Sequence, residues 1–453
     1  MPIQSKLGPF DLTMIIVSLV IGIGIFKTPS IVAEKAGTPF IFYAAWVIGG
    51  IISIFGALTF AEIGARLPVA GGFYKIFSHC YHPAFAFMLN WSLVIINAGS
   101  AVAVALVGAE YIKPVIVPDE FQNSISPKMI ALAVLSILFL LNYLGIRMGS
   151  RVQNILSGIK ILLILLFCLS VFGTHHISSP DVVTHSTKDS LMALGVCLIS
   201  VFFTFGGYQM TINLGADVKN PQRNIPLAIF SGISIILVLY LMINIAYCEV
   251  LGFENLGGKT LIASELAAKY FGEAGFKITS IVIFISTLGF LNTSFMVNPR
   301  IYYAMAEDKI LPPLFKKVNE KTQTQEFALC FFFGLTIISL FLLEAFEKIV
   351  NYVMFIDSIS LVFAAASLFI LRKRMANSDY TGFQMKFFPL IPALFMMVLM
   401  VVCINVLISD FKAATIGMGI FLAGFPLYHL ILFVVRKKEN AIEKNRKNKL
   451  SDF

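Results

Sequence analysis

Charge is what this sequence has least of. Only 13% of its 453 residues are Asp, Glu, Lys or Arg, and 58% are hydrophobic, whereas soluble domains carry about one quarter charged residues. The six cysteines and six histidines are scattered. Cys80 lies in a loop, and Cys168, Cys197, Cys248, Cys330 and Cys403 lie in or at the ends of apolar runs; none falls in the 113–127 loop. No C-x-x-C, HExxH, Walker A or GxSxG pattern occurs. The chain is thus expected to use no metal and no cofactor, and to be neither a disulfide framework, nor a nucleotide-driven pump, nor a membrane hydrolase.

Long apolar runs fill the space that charge leaves. A bilayer crossing takes about 20 apolar residues. Twelve candidates lie at about 9–34, 39–65, 84–112, 128–145, 151–173, 190–216, 226–250, 275–303, 327–344, 348–371, 387–408 and 413–435. Lipid offers no partner for a backbone amide, so these runs must be helices. The first is too long, lacks a basic flank and is followed by further spans, unlike a cleaved signal peptide. Most of the 34 Lys and Arg fall at the N-terminus, in the even-numbered loops and in the tail, which puts both termini in the cytoplasm of a multi-pass plasma (inner) membrane protein. The net charge of +9 needs no nucleic acid to explain it. The tail "RKKENAIEKNRKNK" is a solvated positive-inside end, or rests near anionic headgroups. Between spans, "GGFYKIFSHCYH" reads as a helix or hairpin beside the membrane. "AMAEDKILPPLFKKVNEK" reads as a short amphipathic helix, a Pro-Pro stop and a basic loop.

Two of the spans are interrupted. The first contains "SLVIGIGIFKTPS", residues 18–30, and the sixth contains "FFTFGGYQM", residues 202–210. Glycine pairs in membrane helices often serve only close packing. Two pairs at matched depth, five spans apart, point instead to breaks at a transporter's binding site. An odd offset inverts the second copy. The expected fold is therefore all-α, with a five-plus-five inverted repeat (about 9–173 and 190–371), extra helices at about 387–435 and a basic tail at 436–453, all in one domain. A break exposes amides at one new helix end and carbonyls at the other. The first kind suits a carboxylate and the second an ammonium, so a zwitterionic amino acid matches paired breaks with no charged side chain.

The motifs "GIGIFKTP", "GALTFAEIGARLPVAGGFY", "FGGYQ" running on to "VKNPQRNIPLAI", "NPRIYYAMAEDKILP" and "GFPLYH" occur in that order along nearly the whole chain. In this the sequence resembles permeases of the amino acid–polyamine–organocation superfamily, which have the leucine-transporter-type fold, and within it the L-type amino acid transporters and their bacterial relatives. The resemblance implies that the family's glycine motif falls on Gly22-Ile23-Gly24, where amides of Ile23, Gly24 and Ile25 bind the carboxylate. Ile23 stands where the family often has Ser or Thr. Carbonyls near Val20, Phe203, Thr204 and Gly206 would take the ammonium, Phe203 would cover the substrate, and Gln209 would sit beside the pocket. Lys160 matches the span 5 lysine whose ammonium replaces the sodium of related carriers, with Asn154 upstream.

Three further charges lie in spans. Glu62 and Arg66 have the spacing of a structural i,i+4 ion pair. Lys27 follows the first break, and Asp357 lies about 15 Å below the outer end of span 10. L-type relatives tend to be apolar and neutral at these two positions, so the pair is expected to form an outer gate, or Asp357 to face a substrate cation. The expected function is secondary active transport of amino acids by alternating access, sodium-independent exchange or proton symport, neutral L-amino acids first. Cationic amino acid or polyamine transport is the alternative, and a channel or sensor of the same fold is the rival of another class. The partners expected are the amino acid substrate and membrane lipid. A disulfide-linked heavy chain is not expected, because the loop "KPVIVPDEFQNSISP" has no cysteine.

Overall fold

The computed structural model describes residues 5–22, 24–169, 187–258, 262–342, 346–376, 380–409 and 411–451. The helices are α1 (Pro9–Val20), α2 (Gly24–Ala36), α3 (Pro39–Arg66), α4 (Gly72–Cys80), α5 (Pro83–Ile116), α6 (Pro127–Tyr143), α7 (Ile146–Leu169), α8 (Thr187–Phe205), α9 (Pro221–Leu251), α10 (Ile262–Glu307), α11 (Glu326–Leu342), α12 (Phe346–Arg374), α13 (Leu390–Ser409) and α14 (Phe411–Ser451). Among the described residues, eight helices are long and apolar enough to cross a membrane, or nine with α1 and α2 as one bent span. Three more apolar helices are shorter: Pro127–Tyr143, Met192–Phe202 and Glu326–Leu342. The protein is an all-helical, multi-pass membrane protein.

Proline sets many of the helix starts. Pro9, Pro39, Pro83, Pro127 and Pro221 each open a helix, where the missing N–H is one that would have had no helical partner. Side chains close some of the remaining amides: Thr38 accepts from Ile41 N at 3.3 Å, and His82 Nδ1 from Ala84 N at 3.2 Å. The helices then sort into two groups. α1, α2, α3, α8 and α9 pack on one another, α5, α6, α10 and α11 pack on one another, and α7 bridges α1, α9 and α10. Small residues permit the close approach. A Cβ at Gly49 or Gly50 of α3 would strike Val201 of α8 or Leu237 of α9.

Loop expectations met mixed outcomes. Residues 72–80 form the helix α4. The short amphipathic helix expected at "AMAEDKIL" is instead the end of α10, which runs through Pro299 to Glu307, with a separate 3₁₀ turn at Pro313–Lys316. α10 is interrupted at Gly272 (φ 57°): a separate helical segment precedes it, and the apolar span runs from Gly272, close to the expected start at about 275.

Charged clusters tie the helix ends. Lys6 and Leu7 amides donate to the Asp217 carbonyl at 2.8 Å each, and the buried Asp217 carboxylate pairs with Arg300 of α10 at 2.8 Å. The Glu62–Arg66 pair forms as expected, at 2.8 Å, but it is half of a larger cluster. Glu62 Oε1 also accepts from Arg372 Nε at 2.8 Å, and Oε2 from Arg372 Nη2 at 2.7 Å and Met385 N at 2.9 Å. The carboxylate is fully buried and joins α3, α12 and the segment before α13. Removing one member of a buried pair strands the other charge, at about 3–5 kcal/mol. Glu62→Ala should therefore lower the unfolding midpoint of the purified protein far more than Glu273→Ala, which breaks an exposed i,i+4 pair with Lys277. Equal shifts in a thermal melt would show that the cluster does not hold these helices.

Candidate functional site

The first break is built from what α1 leaves unpaired. After Val20 the backbone departs from the helix at Ile21 (φ −73°, ψ 79°), and α2 resumes at Gly24 with a bend of 42°. Two amides fold back, Ile21 N to Val17 O and Gly22 N to Val20 O, each at 2.8 Å. Carbonyls at a helix C-terminus otherwise need outside donors. Lys160 of α7, fully buried, donates its ammonium to Ile21 O at 2.9 Å, Ser18 Oγ at 3.0 Å and Ser18 O at 3.3 Å. The Tyr240 hydroxyl of α9 donates to Val20 O at 2.9 Å and Thr204 O at 3.2 Å, a shared bond that joins the two breaks. The negative end of the α1 dipole is thus met by an ammonium and a phenol.

The glycines do different work. A Cβ at Gly22 would meet nothing within 4 Å, so Gly22 faces open space and packing does not require it. A Cβ at Gly24 would stand 3.0 Å from Thr204 Cγ2, so Gly24 lets α2 and α8 close together. The Thr204 hydroxyl donates to the Ser200 carbonyl at 2.9 Å and shares a hydrogen bond with Thr28 at 2.8 Å. Ile25 is buried at the start of α2. Ile23 and the Phe203 side chain lie outside the described residues.

At the second break α8 ends at Phe205, and Gly206 and Gly207 follow, both partly buried. Gly207 has φ 118°, and a Cβ there would lie 2.8 Å from Leu19 O. Only glycine suits that backbone, and only glycine lets the two breaks touch. The chain then runs on as a 3₁₀ helix, Tyr208–Asn213, rather than as a second α-helical half. Gln209 is buried and its Oε1 accepts from Gly207 N at 2.9 Å. Its amide group pins the break.

Lys160 stands where three helices meet. A Cβ on Gly289 of α10 would lie 2.8 Å from Lys160 Nζ. Along α7, Asn154 Nδ2 donates to Asp11 Oδ1 at 2.8 Å, and Ser157 Oγ to Met14 O at 2.9 Å. Asn154, Ser157 and Lys160 recur every three residues on one face and hold α7 to α1. The rings of Trp46 and Phe205 pack around Tyr240, with centroids 5.9 and 5.0 Å away. Reading the sequence missed Tyr240 altogether, since a lone tyrosine in an apolar span carries no pattern.

The other two charges have different surroundings. Lys27 of α2 is partly buried and within electrostatic reach of Glu110 on α5, an acid that sequence reading passed over. Asp357 of α12 is partly buried and close enough to Tyr208 and Cys403 to act on both. Among the described residues no hydrogen bond or ion pair reaches its carboxylate, and no group of three His, Cys, Asp or Glu is placed to hold a metal.

Comparison with known proteins agrees with this geometry. The family model for amino acid permeases matches residues 7–433. The serine/threonine exchanger SteT of Bacillus subtilis is 30% identical over 434 residues, 94% of this chain and 97% of the exchanger. Large neutral amino acids transporter small subunit 2 of Mus musculus is 26% identical over 437 residues, 94% of this chain and 81% of that one. The cystine/glutamate transporter of Homo sapiens is 26% identical over 432 residues, 93% of this chain and 84% of that one. With paired helix breaks at its centre and a family match over nearly its whole length, the chain belongs to the amino acid permease family, and it is a secondary amino acid transporter related to the L-type carriers rather than an enzyme.

Proposed function

We propose that the protein carries neutral L-amino acids across the plasma membrane by alternating access, without sodium, with the α-carboxylate on the amides of Ile23, Gly24 and Ile25. The observation that carries this reading is the open space beside Gly22, between capped carbonyls of α1 and the amides that begin α2. Those amides have no partner inside the helix and lie at the positive end of its dipole. The substrate ammonium would turn to carbonyls around Phe203 and Gly206, with the Phe203 ring as cover. The serine/threonine exchanger among the relatives supports a small neutral substrate. Twelve crossings would require the three shorter apolar helices to span as well as the eight long ones and the bent α1–α2 pair. We read the fold as a five-plus-five inverted repeat, and the Lys and Arg bias supports cytoplasmic termini. The test is uptake of labelled amino acids into proteoliposomes with competition by all twenty. Serine-sized neutral amino acids should compete best, and competition by none would remove the reading.

A second reading rests on Asp357. A carboxylate with no partner among the described residues, beside Tyr208, suits a substrate carrying a side-chain cation. The same residue serves the outer-gate reading with Lys27, which in this conformation also lies within electrostatic reach of Glu110. Asp357→Asn separates the two. A gate predicts slower turnover with an unchanged order of competitors, and recovery of part of the rate by a Lys27→Asp, Asp357→Lys swap. Side-chain recognition predicts selective loss of lysine and arginine as competitors.

Lys160 gives the sodium prediction. Its ammonium already sits on the α1 carbonyls where a metal cation would be needed. Uptake should be the same in sodium and in choline. Lys160→Ala should cost at least about tenfold in uptake rate, since one charged hydrogen bond contributes about that much. Dependence on sodium in the unaltered protein would contradict the assignment.

The chain should also act alone. The 117–126 loop has no cysteine to hold a second subunit. Purified protein reconstituted without any partner should transport, and activity that needs an added subunit would refute this.

A further inference from the structure

A crevice of about 580 Å³ opens away from the helix breaks, between α3, the first turns of α9 and residues 381–383. Its volume is in the range of small-molecule sites. Its chemistry is graded along α9. Gln222 and Arg223 stand at one end, and Pro226, Leu227 and Phe230 follow, reaching about 10 Å deeper along the helix axis. Ala57 and Ala61 of α3 form a smooth facing wall. Leu227 and Phe230 are about half exposed, at 48% and 52%, on the outer surface of the helix bundle where lipid tails lie. The mouth lies on the side whose loops hold most of the Lys and Arg, the side that faces anionic headgroups.

Arg223 differs from the arginines nearby. Arg66 and Arg372 both close on Glu62. Arg223 is exposed, and among the described residues its guanidinium makes no hydrogen bond or ion pair. The lining holds no carboxylate. A cationic mouth above an apolar slot is complementary to a molecule with one phosphate and one hydrocarbon chain, and a guanidinium binds phosphate in a two-pronged fork.

We propose that this crevice binds one anionic glycerophospholipid of the adjoining leaflet, with its phosphate on Arg223 and an acyl chain along Ala57, Leu227 and Phe230. The lipid would bridge α3 and α9 beside the segment that Glu62 holds through Met385. It therefore sits against the helix that carries Tyr240, outside the substrate path.

The experiment is native mass spectrometry of the full-length protein, purified and delipidated in detergent, then offered equal amounts of palmitoyl-oleoyl phosphatidylglycerol and phosphatidylcholine. One phosphatidylglycerol should be retained at about fivefold preference, what one arginine gives near an anionic surface. Arg223→Gln should bring the two lipids to parity. Lys219→Gln, which changes an exposed charge four residues away and outside the crevice, should leave the preference intact. Leu227→Trp, which fills the slot and keeps Arg223, should abolish retention of both lipids. Equal retention of the two lipids by the unaltered protein would overturn the proposal. So would a preference that survives Arg223→Gln, a preference that Lys219→Gln removes equally (diffuse surface charge), or displacement of the lipid by inorganic phosphate alone (a small-anion site). Monodisperse elution of each variant separates loss of binding from loss of fold.

Discussion

The hydrogen bonds that Lys160 donates to the end of α1 are the interaction on which the centre of this molecule depends. A helix broken inside a bilayer leaves carbonyls that no water can reach, each at several kcal/mol. Ile21 and Ser18 hand theirs to an ammonium, and Val20 hands its own to the Tyr240 hydroxyl. The buried ammonium needs those same carbonyls, because a charge in that place is costly without partners. Break and lysine are therefore mutually necessary. Neither would be stable alone, and together they fix α7 and α9 against α1.

That arrangement has a consequence for transport. The carbonyl end of α1 is occupied by protein donors, while a side chain at Gly22 would meet only open space. The first break is thus asymmetric: its carbonyl end is closed by protein donors, and in the reading proposed above its amide end takes the substrate carboxylate. The second break contributes through Gly207, whose backbone conformation and contact with Leu19 O bring it against the first. Gln209 fixes the Gly207 turn by accepting from its amide, and Thr204 ties α8 to Thr28 of α2.

Much of this was legible in the sequence, for physical reasons. Apolar runs separated by charged loops mark membrane helices because lipid excludes charge. Glycine pairs at matched depth mark breaks because few other residues tolerate them there. Lys160 stood out because an amine in mid-span must have partners, and its partners proved to be α1 carbonyls. The Glu62–Arg66 spacing gave a true pair, but Arg372 and the Met385 amide, more than 300 residues away in sequence, carry no local signal. Tyr240 and Glu110 were missed for the same reason, each being a single polar group whose role comes from a distant helix. The expectation for "AMAEDKIL" failed because the apolar run ends near residue 303 while the helix itself continues to Glu307.

The most direct test of the account is a structure of the protein in a bilayer mimetic with a bound neutral L-amino acid. It should show the substrate carboxylate within about 3 Å of the amides at residues 23–25, with no charged side chain touching it and Lys160 still on the Ser18 and Ile21 carbonyls. A carboxylate paired directly with Lys160, or a substrate bound away from both breaks, would contradict the account.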